Sequence, residues 1–160
     1  MEIRTANIDD LEAIAYVERT CFPEAEAASE KSMEERLTAF ADHFWLLCDG
    51  NTLASYVGGM VTDEPDLSDA MYADAGMHRE DGAWQMIFSV CTLPEYQRQG
   101  LAALLLNRVI EDAKAQGRKG VVLTCKERLI HYYAKFGFVN EGMSESEHGN
   151  AVWYQMRIKF

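Results

Sequence analysis

The chain opens on a short extended run, Ile3 to Thr5. Asn7 follows as a helix cap, with Asp9 and Asp10 in the first turn, where carboxylates meet the positive end of the helix dipole. Leu11, Ile14, Ala15 and Val17 recur at helical spacing up to about Arg19, and Pro23 ends the run. Ser29 to Phe40 reads as a second helix with Met33, Leu37 and Phe40 near one face. Phe44 to Cys48 is continuously apolar, as a buried strand is; Asp49-Gly50-Asn51 supplies a turn, and Thr52 to Thr62 returns. Gly58-Gly59 inside that returning strand predicts a bulge or a close backbone approach. Asp63 to Gly82 is acidic and weakly patterned, and is expected to be a solvated surface loop with one helical turn near Leu67 to Tyr72. Trp84 to Leu93 reads as one long strand stopped by Pro94. Leu101 to about Ala115 is a helix with a wide apolar stripe, ended by Gly117. Val121 to Cys125 is a strand, Glu127 to Lys135 a short helix, Phe138-Val139 the start of another strand, and Ala151 to Ile158 the last. Helices interleaved with strands in this order predict one α/β domain over residues 1–160 with a mixed sheet.

Composition narrows the function. The chain has 160 residues, 48% of them hydrophobic, which suits a globular core without disulfides or metals. Lys and Arg number 15 against 26 Asp and Glu, a net charge of −11. That field repels phosphate backbones and anionic bilayers, so neither nucleic acid nor membrane is an expected partner, and a cationic substrate would be drawn in. The acidic segments Glu24 to Glu35 and Asp63 to Asp81 could attract a polyamine or other cationic amine, although a solvated, solubilising surface is the better-supported reading of them. Cys21, Cys48, Cys91 and Cys125 lie far apart, and His43, His78, His131 and His148 form no metal-binding frame, so no metal is expected. Without a signal peptide or an apolar run long enough to span a bilayer, the expectation is a cytoplasmic protein with reduced thiols.

The informative stretch runs from Val90 to Ala102. A strand enters a turn, Gln97-Arg98-Gln99-Gly100, which opens a helix. Backbone amides at a helix start have no internal partner and carry partial positive charge, so a diphosphate binds well there. Gly100 lets the backbone approach closely, and Arg98 adds a formal charge. The pattern fits neither the P-loop nor the dinucleotide fingerprint.

Gln97-Arg98-Gln99-Gly100-Leu101-Ala102 resembles the Q/R-x-x-G-x-G/A signature of the GNAT superfamily of acetyl-CoA-dependent N-acetyltransferases. Tyr133-Ala134-Lys135-Phe136-Gly137-Phe138 is similar to that family's Y-x-x-x-G-F element. Cys21-Phe22-Pro23, Leu123 to Glu127, the run from Tyr132 to Phe138, and Ala151 to Tyr154 resemble, more narrowly, the arylalkylamine (serotonin) N-acetyltransferase branch and its bacterial relatives. The resemblance covers essentially the whole chain. It implies a mixed, mostly antiparallel central sheet of about seven strands flanked by helices. It also implies transfer of an acetyl group from acetyl-CoA to a small primary amine, by direct attack in a ternary complex and without a metal. Val90, Cys91 and Thr92 would pair with the pantetheine arm through their backbone. Gln97, Arg98, Gln99, Gly100, Leu101 and Ala102 would hold the pyrophosphate, and Tyr133 would protonate the departing thiolate. Phe22 and Pro23 would shape the amine pocket, and Thr124 would touch the acyl group or the amine.

Helical geometry supports the placing of Tyr133, which shares a face with apolar Leu129 and Ile130, whereas Glu127, His131 and Lys135 form a separate, solvated stripe. Met86 and Phe88 stand where the branch carries two histidines. Neither accepts a proton, so the group that deprotonates the amine is unassigned. Cys91 and Cys125 read as buried structural thiols. Two other functions fit the same motifs: a non-catalytic acyl-CoA-binding module, and an acetyltransferase acting on protein or peptide amines. Oligomeric state is open.

Overall fold

The computed structural model describes residues 1–160. Strand β1 (Glu2–Thr5) leads to a single 3-10 turn, Ile8–Asp10, and then helix α1 (Leu11–Cys21). The Asn7 side chain accepts the Asp9 amide, and the Asp10 carboxylate accepts the Asn7 amide at 2.9 Å, a reciprocal cap. Helix α2 (Glu30–Phe40) starts from Ser29, whose hydroxyl accepts the Ser32 amide at 3.1 Å. Strands β2 (Phe44–Asp49) and β3 (Thr52–Gly58) form the expected hairpin. The chain continues through β4 (Val61–Thr62), a short helix α3 (Asp69–Ala73), β5 (Trp84–Ile87), β6 (Ser89–Thr92), helix α4 (Leu101–Ala115), β7 (Gly120–Cys125), α5 (Ile130–Ala134), β8 (Val139–Met143) and β9 (Tyr154–Lys159).

Two of the long strands read from the sequence are broken. Thr52 to Thr62 divides at Gly59-Met60, and Trp84 to Leu93 divides at Phe88. The breaks face each other: the Met86 amide donates to the Met60 carbonyl at 2.8 Å, and the Phe88 amide to the Gly58 carbonyl at 2.7 Å. Two sheets result, β1-β2-β3-β6 and β4-β5-β7-β9-β8. All pairings are antiparallel except β5 with β7. The predicted close approach at the Gly58-Gly59 pair is present. A Cβ on Gly59 would stand 2.0 Å from the Met86 carbonyl oxygen, and one on Gly58 would stand 2.5 Å from the Phe44 ring.

The switch between sheets makes a gap. Trp84 to Ile87 pair with Gly120 to Leu123 of β7, and beyond Ile87 the chain turns to β3 instead. Ser89 to Thr92 therefore diverge from Thr124 and Cys125, which stay with β9. Apolar clusters pack the two faces. One holds Ile14, Met33, Phe40, Tyr56 and Met86 beneath α1 and α2; the other holds Trp45, Leu105, Val109, Val121 and Leu123 beneath α4.

Two expectations are corrected. The segment from Asp63 to Gly82 carries the expected helical turn, α3, but is not simply a solvated loop: Leu67, just before α3, and Met71, within it, are buried, and Tyr72 packs inward with them. The last strand starts at Tyr154 rather than Ala151, because residues 148–153 form a turn instead of extending the sheet. No helix is long and apolar enough to cross a membrane.

Candidate active site

Two cavities meet in the gap between the sheets. One, of about 440 Å³, runs along β6 and the turn before α4. It is lined by Val90, Cys91, Thr92, Gln97, Arg98, Gly100, Leu101 and Ala102. The other, of about 370 Å³, is walled by α1, α2, α3 and the 148–153 turn, with Phe22, Pro23 and Thr124 in its lining. Tyr133, Cys21, Phe22, Val90, Arg128 and Leu129 border both.

The first cavity owes its character to its backbone. Gly100 caps α4 at φ +76°, and no side chain satisfies the first helical amides. Arg98 also has positive φ, +65°, a conformation a β-carbon disfavours. On β6 the Leu93 amide turns toward β3, donating to the Ala54 carbonyl at 2.9 Å. Strand alternation then turns the Val90 and Thr92 amides toward the gap. The charged residues lining this cavity are Arg98 and Arg128, so it is locally cationic in a chain of net charge −11. Gln99 belongs to the same turn but is exposed and does not line the cavity.

Tyr133 is 7% exposed and stands edge-on to Tyr132 and Phe138. The inward placing read from the helix is correct, as is the exposure of His131. Its hydroxyl has no hydrogen bond within the protein, and burial holds the phenol well above its usual range. Tyr133 therefore keeps its proton at any neutral or mildly alkaline pH. Burial likewise raises the Cys91 and Cys125 thiols, Cys125 to about 11, as befits buried structural thiols. Cys21 is lowered instead, chiefly by hydrogen bonding from the Cys91 thiol.

The second cavity holds functional groups that the motif analysis missed. Glu18, on α1, is 3% exposed. Its Oε1 accepts from the Tyr56 hydroxyl and from Ser89 Oγ at 2.9 Å, and its Oε2 from the Ala28 amide at 2.9 Å. Arg36, on α2, is 5% exposed and lies over the Phe88 ring at 4.9 Å. Tyr72 stacks on Phe88 at 4.5 Å and on His148 at 5.1 Å, and burial pushes its phenol up to about 12. Met86 and Phe88 differ in placement: Met86 is fully buried in the core, whereas Phe88 lines the cavity. A signal for Glu18 and Arg36 does exist in the sequence. Glu18 lies four residues after Ile14, and Arg36 three after Met33 and four before Phe40, so each is a charge on an apolar helical stripe.

His43, His78 and Glu80 meet in space with their ligand atoms within 4.8 Å of one another, although the sequence separates them. The hydrogen bonds suit protons there. The Val61 amide donates to His78 Nδ1 at 3.0 Å, which puts the ring proton on Nε2, facing Glu80 at 3.0 Å. Gln85 spends its Nε2 on the carbonyls of Gly59, Met60 and Met86, so its Oε1 accepts His43 Nδ1–H at 2.9 Å. The cluster ties β4 to β5 and stands apart from both cavities.

Comparison with known proteins agrees with this arrangement. Residues 11–138 match the Acetyltransferase (GNAT) family. Among solved structures, the GNAT-like decarboxylase GphF in complex with isobutyryl-CoA superposes with a TM-score of 0.85 at 18% identity, covering 99% of each chain. The loading GNATL domain of CurA from Lyngbya majuscula gives 0.84 at 16% identity, over 99% of this chain and 96% of that one. The PaiA N-acetyltransferase from Thermoplasma acidophilum in complex with coenzyme A gives 0.72 at 16% identity, over 99% and 98%. At these identities the likeness speaks for the fold, an α/β architecture with a mostly antiparallel sheet. With the family match spanning most of its length, the chain belongs to the GNAT acetyltransferase family.

Proposed function

We propose that the protein is an acetyl-CoA-dependent N-acetyltransferase acting on a small primary amine. The observation that carries this reading is the meeting of the two cavities at Tyr133, inside the gap between β6 and β7. Acetyl-CoA lies in the cationic cavity, its pyrophosphate against the turn from Gln97 to Ala102 and its pantetheine along Val90, Cys91 and Thr92. The PaiA relative's complex with coenzyme A and the GphF complex with isobutyryl-CoA support such a use of the fold. The amine occupies the second cavity, bordered by Phe22, Pro23 and Thr124. Walls contributed by α3 and the 148–153 turn favour a small acceptor over a protein segment.

The chemistry follows from the groups present. The amine nitrogen attacks the thioester carbonyl, and the oxyanion is met by the backbone amides facing the gap. Glu18 takes the proton that the nitrogen loses; it is the carboxylate nearest in kind to the base that Met86 and Phe88 cannot supply. As the C–S bond breaks, Tyr133 gives its proton to the coenzyme A thiolate. Burial raises the basicity of that thiolate as it raises the phenol, so the transfer is less uphill than the Tyr133 shift alone suggests. The products are an N-acetylamine and free coenzyme A, and no covalent enzyme intermediate forms.

The test is thiol release from acetyl-CoA against a panel of amines: tryptamine, phenethylamine, spermidine, a lysine peptide, free amino acids and an amine-free blank. Amine-dependent release is the expected result. Tight acetyl-CoA binding with no release for any amine would replace the transferase with a binding module. Preference for the peptide would move the acceptor to a protein.

A further inference from the structure

Three arginines are buried in this protein, and two of them are neutralised. Arg157 pairs with Asp66 at 3.0 Å and Glu141 at 2.9 Å; Arg118 reaches Glu80 at 3.4 Å. Arg36 is the exception, because no carboxylate pairs with it. Its one hydrogen bond is from Nη2 to the Tyr72 carbonyl at 3.0 Å, and its Nε is buried without an acceptor. A buried guanidinium with five donors and one acceptor is expensive to keep, and the Phe88 face offsets only part of that cost. Arg36 lines the acceptor cavity.

Glu18 lines the same cavity and is unpaired in the opposite sense: buried, anionic in its hydrogen bonding, and without a cation. The acceptor cavity thus holds one buried uncompensated cation, Arg36, and one buried uncompensated carboxylate, Glu18, among the apolar faces of Phe22, Phe88 and Trp153, with the exposed Arg128 at its border with the first cavity.

We infer that the acceptor is an amino acid, its carboxylate taken by Arg36 and its amine by Glu18. The inference rests on the acyltransferase reading and names its substrate class. The planar fork of Arg36 suits a carboxylate, which would meet its terminal nitrogens; a buried nitrogen without an acceptor is common to Arg36, Arg118 and Arg157, and the lack of a carboxylate partner is what sets Arg36 apart. A simple arylalkylamine would leave Arg36 unpaired, and a polyamine would bring a second cation beside it. The net negative charge of the chain, which by itself favours a cationic substrate, does not extend to this cavity.

The test uses the twenty standard amino acids, each beside its α-carboxamide, with saturating acetyl-CoA, on wild type, Arg36→Lys and Arg36→Met. For at least one amino acid, kcat/KM should exceed that of its amide by about 100-fold in wild type, the scale of losing a buried charge-assisted pair. The ratio should fall toward one in Arg36→Met, with part kept in Arg36→Lys. Arg36→Met leaves no carboxylate stranded and frees only the Tyr72 carbonyl, so the variant should fold with a modest loss of stability, which a thermal melt checks. A second readout needs no turnover: calorimetric titration of the coenzyme A-loaded protein with N-acetylated amino acids and their amides. If no amine is acetylated, the acyltransferase reading fails while the titration still decides the role of Arg36. Amides used or bound as well as acids would overturn the inference. So would a discrimination that survives in Arg36→Met, or an Arg36 requirement that appears only with a carboxyacyl donor such as succinyl-CoA.

Discussion

Glu18 and Tyr133 illustrate how differently two buried polar side chains are held. Four donors, the Ala28 amide, the Tyr56 and Ser89 hydroxyls and the Cys91 thiol, fix the Glu18 carboxylate, whereas the Tyr133 hydroxyl makes no bond in the protein. Replacing Glu18 by Gln keeps the shape and removes the base. We expect kcat/KM for the amine to drop about 100-fold at neutral pH. The loss should shrink as pH rises, because more of the amine in solution is then already deprotonated. Steady-state rates between pH 6.5 and 9.5 check this, and a pH-independent loss would make Glu18 structural. Legibility at this scale was uneven. Tyr133, Gly100 and Arg98 sit in short motifs that resemble those of the GNAT family, and that resemblance is what singled them out. Glu18, Arg36 and Tyr72 reach the cavity only because α1, α2 and α3 converge on it, and their one local trace is a charge on an apolar stripe.

The elements that matter most are the two broken strands. Each reads as one strand in the sequence, since β3–β4 and β5–β6 are largely apolar without a Pro or charged residue between them and periodicity is blind to a change of sheet partner. Only the Gly58-Gly59 pair marked the place. Gly59 permits the approach of Met86 on which the switch depends, so Gly59→Ala should destabilise the protein by roughly 3 kcal/mol, the upper range for overpacking. Gly50→Ala sits at a turn with open space around its φ of +60°, and should cost only about 1 kcal/mol. Urea unfolding of the two variants would compare them, and equal losses would deny the close approach its structural role. Helix ends were easier to read: Asn7, Ser29 and Gly100 each announce a start through a local preference that tertiary packing did not override.

Across the whole molecule, charge is arranged in local pairs against a large net surplus. Hydrogen bonding to Arg4 holds the Asp10 carboxyl below its usual value, and hydrogen bonding to Arg157 does the same for Glu141. Glu80 is raised by burial but more strongly lowered by His43 and His78. A carboxyl depressed on folding contributes stability above its unfolded value, and that contribution is lost as pH falls through the folded one. Stability should therefore begin to fall as pH drops below about 6.5, where burial resists charging His78 and its Nδ1 accepts the Val61 amide, with easing self-repulsion of the −11 charge offsetting part of the loss, and fall further below about pH 4.5 as the paired carboxylates protonate. Asp10→Asn should flatten that acid limb in urea titrations, and an unchanged limb would mean the Arg4 pair is idle. The α/β architecture and the cavity along β6 and the turn before α4 were legible in the sequence because both rest on contiguous stretches of chain. Acceptor chemistry was not, because net charge describes the surface and the cavity departs from it.

The central claim is that Tyr133, at the junction of the two cavities, supplies the proton to the leaving thiolate. The direct measurement is the kcat of Tyr133→Phe against wild type with the best amine found, beside its acetyl-CoA affinity and melting temperature. The phenol oxygen makes no bond in the protein, so the variant should fold and bind acetyl-CoA as wild type does. Its kcat should fall by about 100-fold or more. A kcat within about threefold of wild type, with folding intact, would contradict the account.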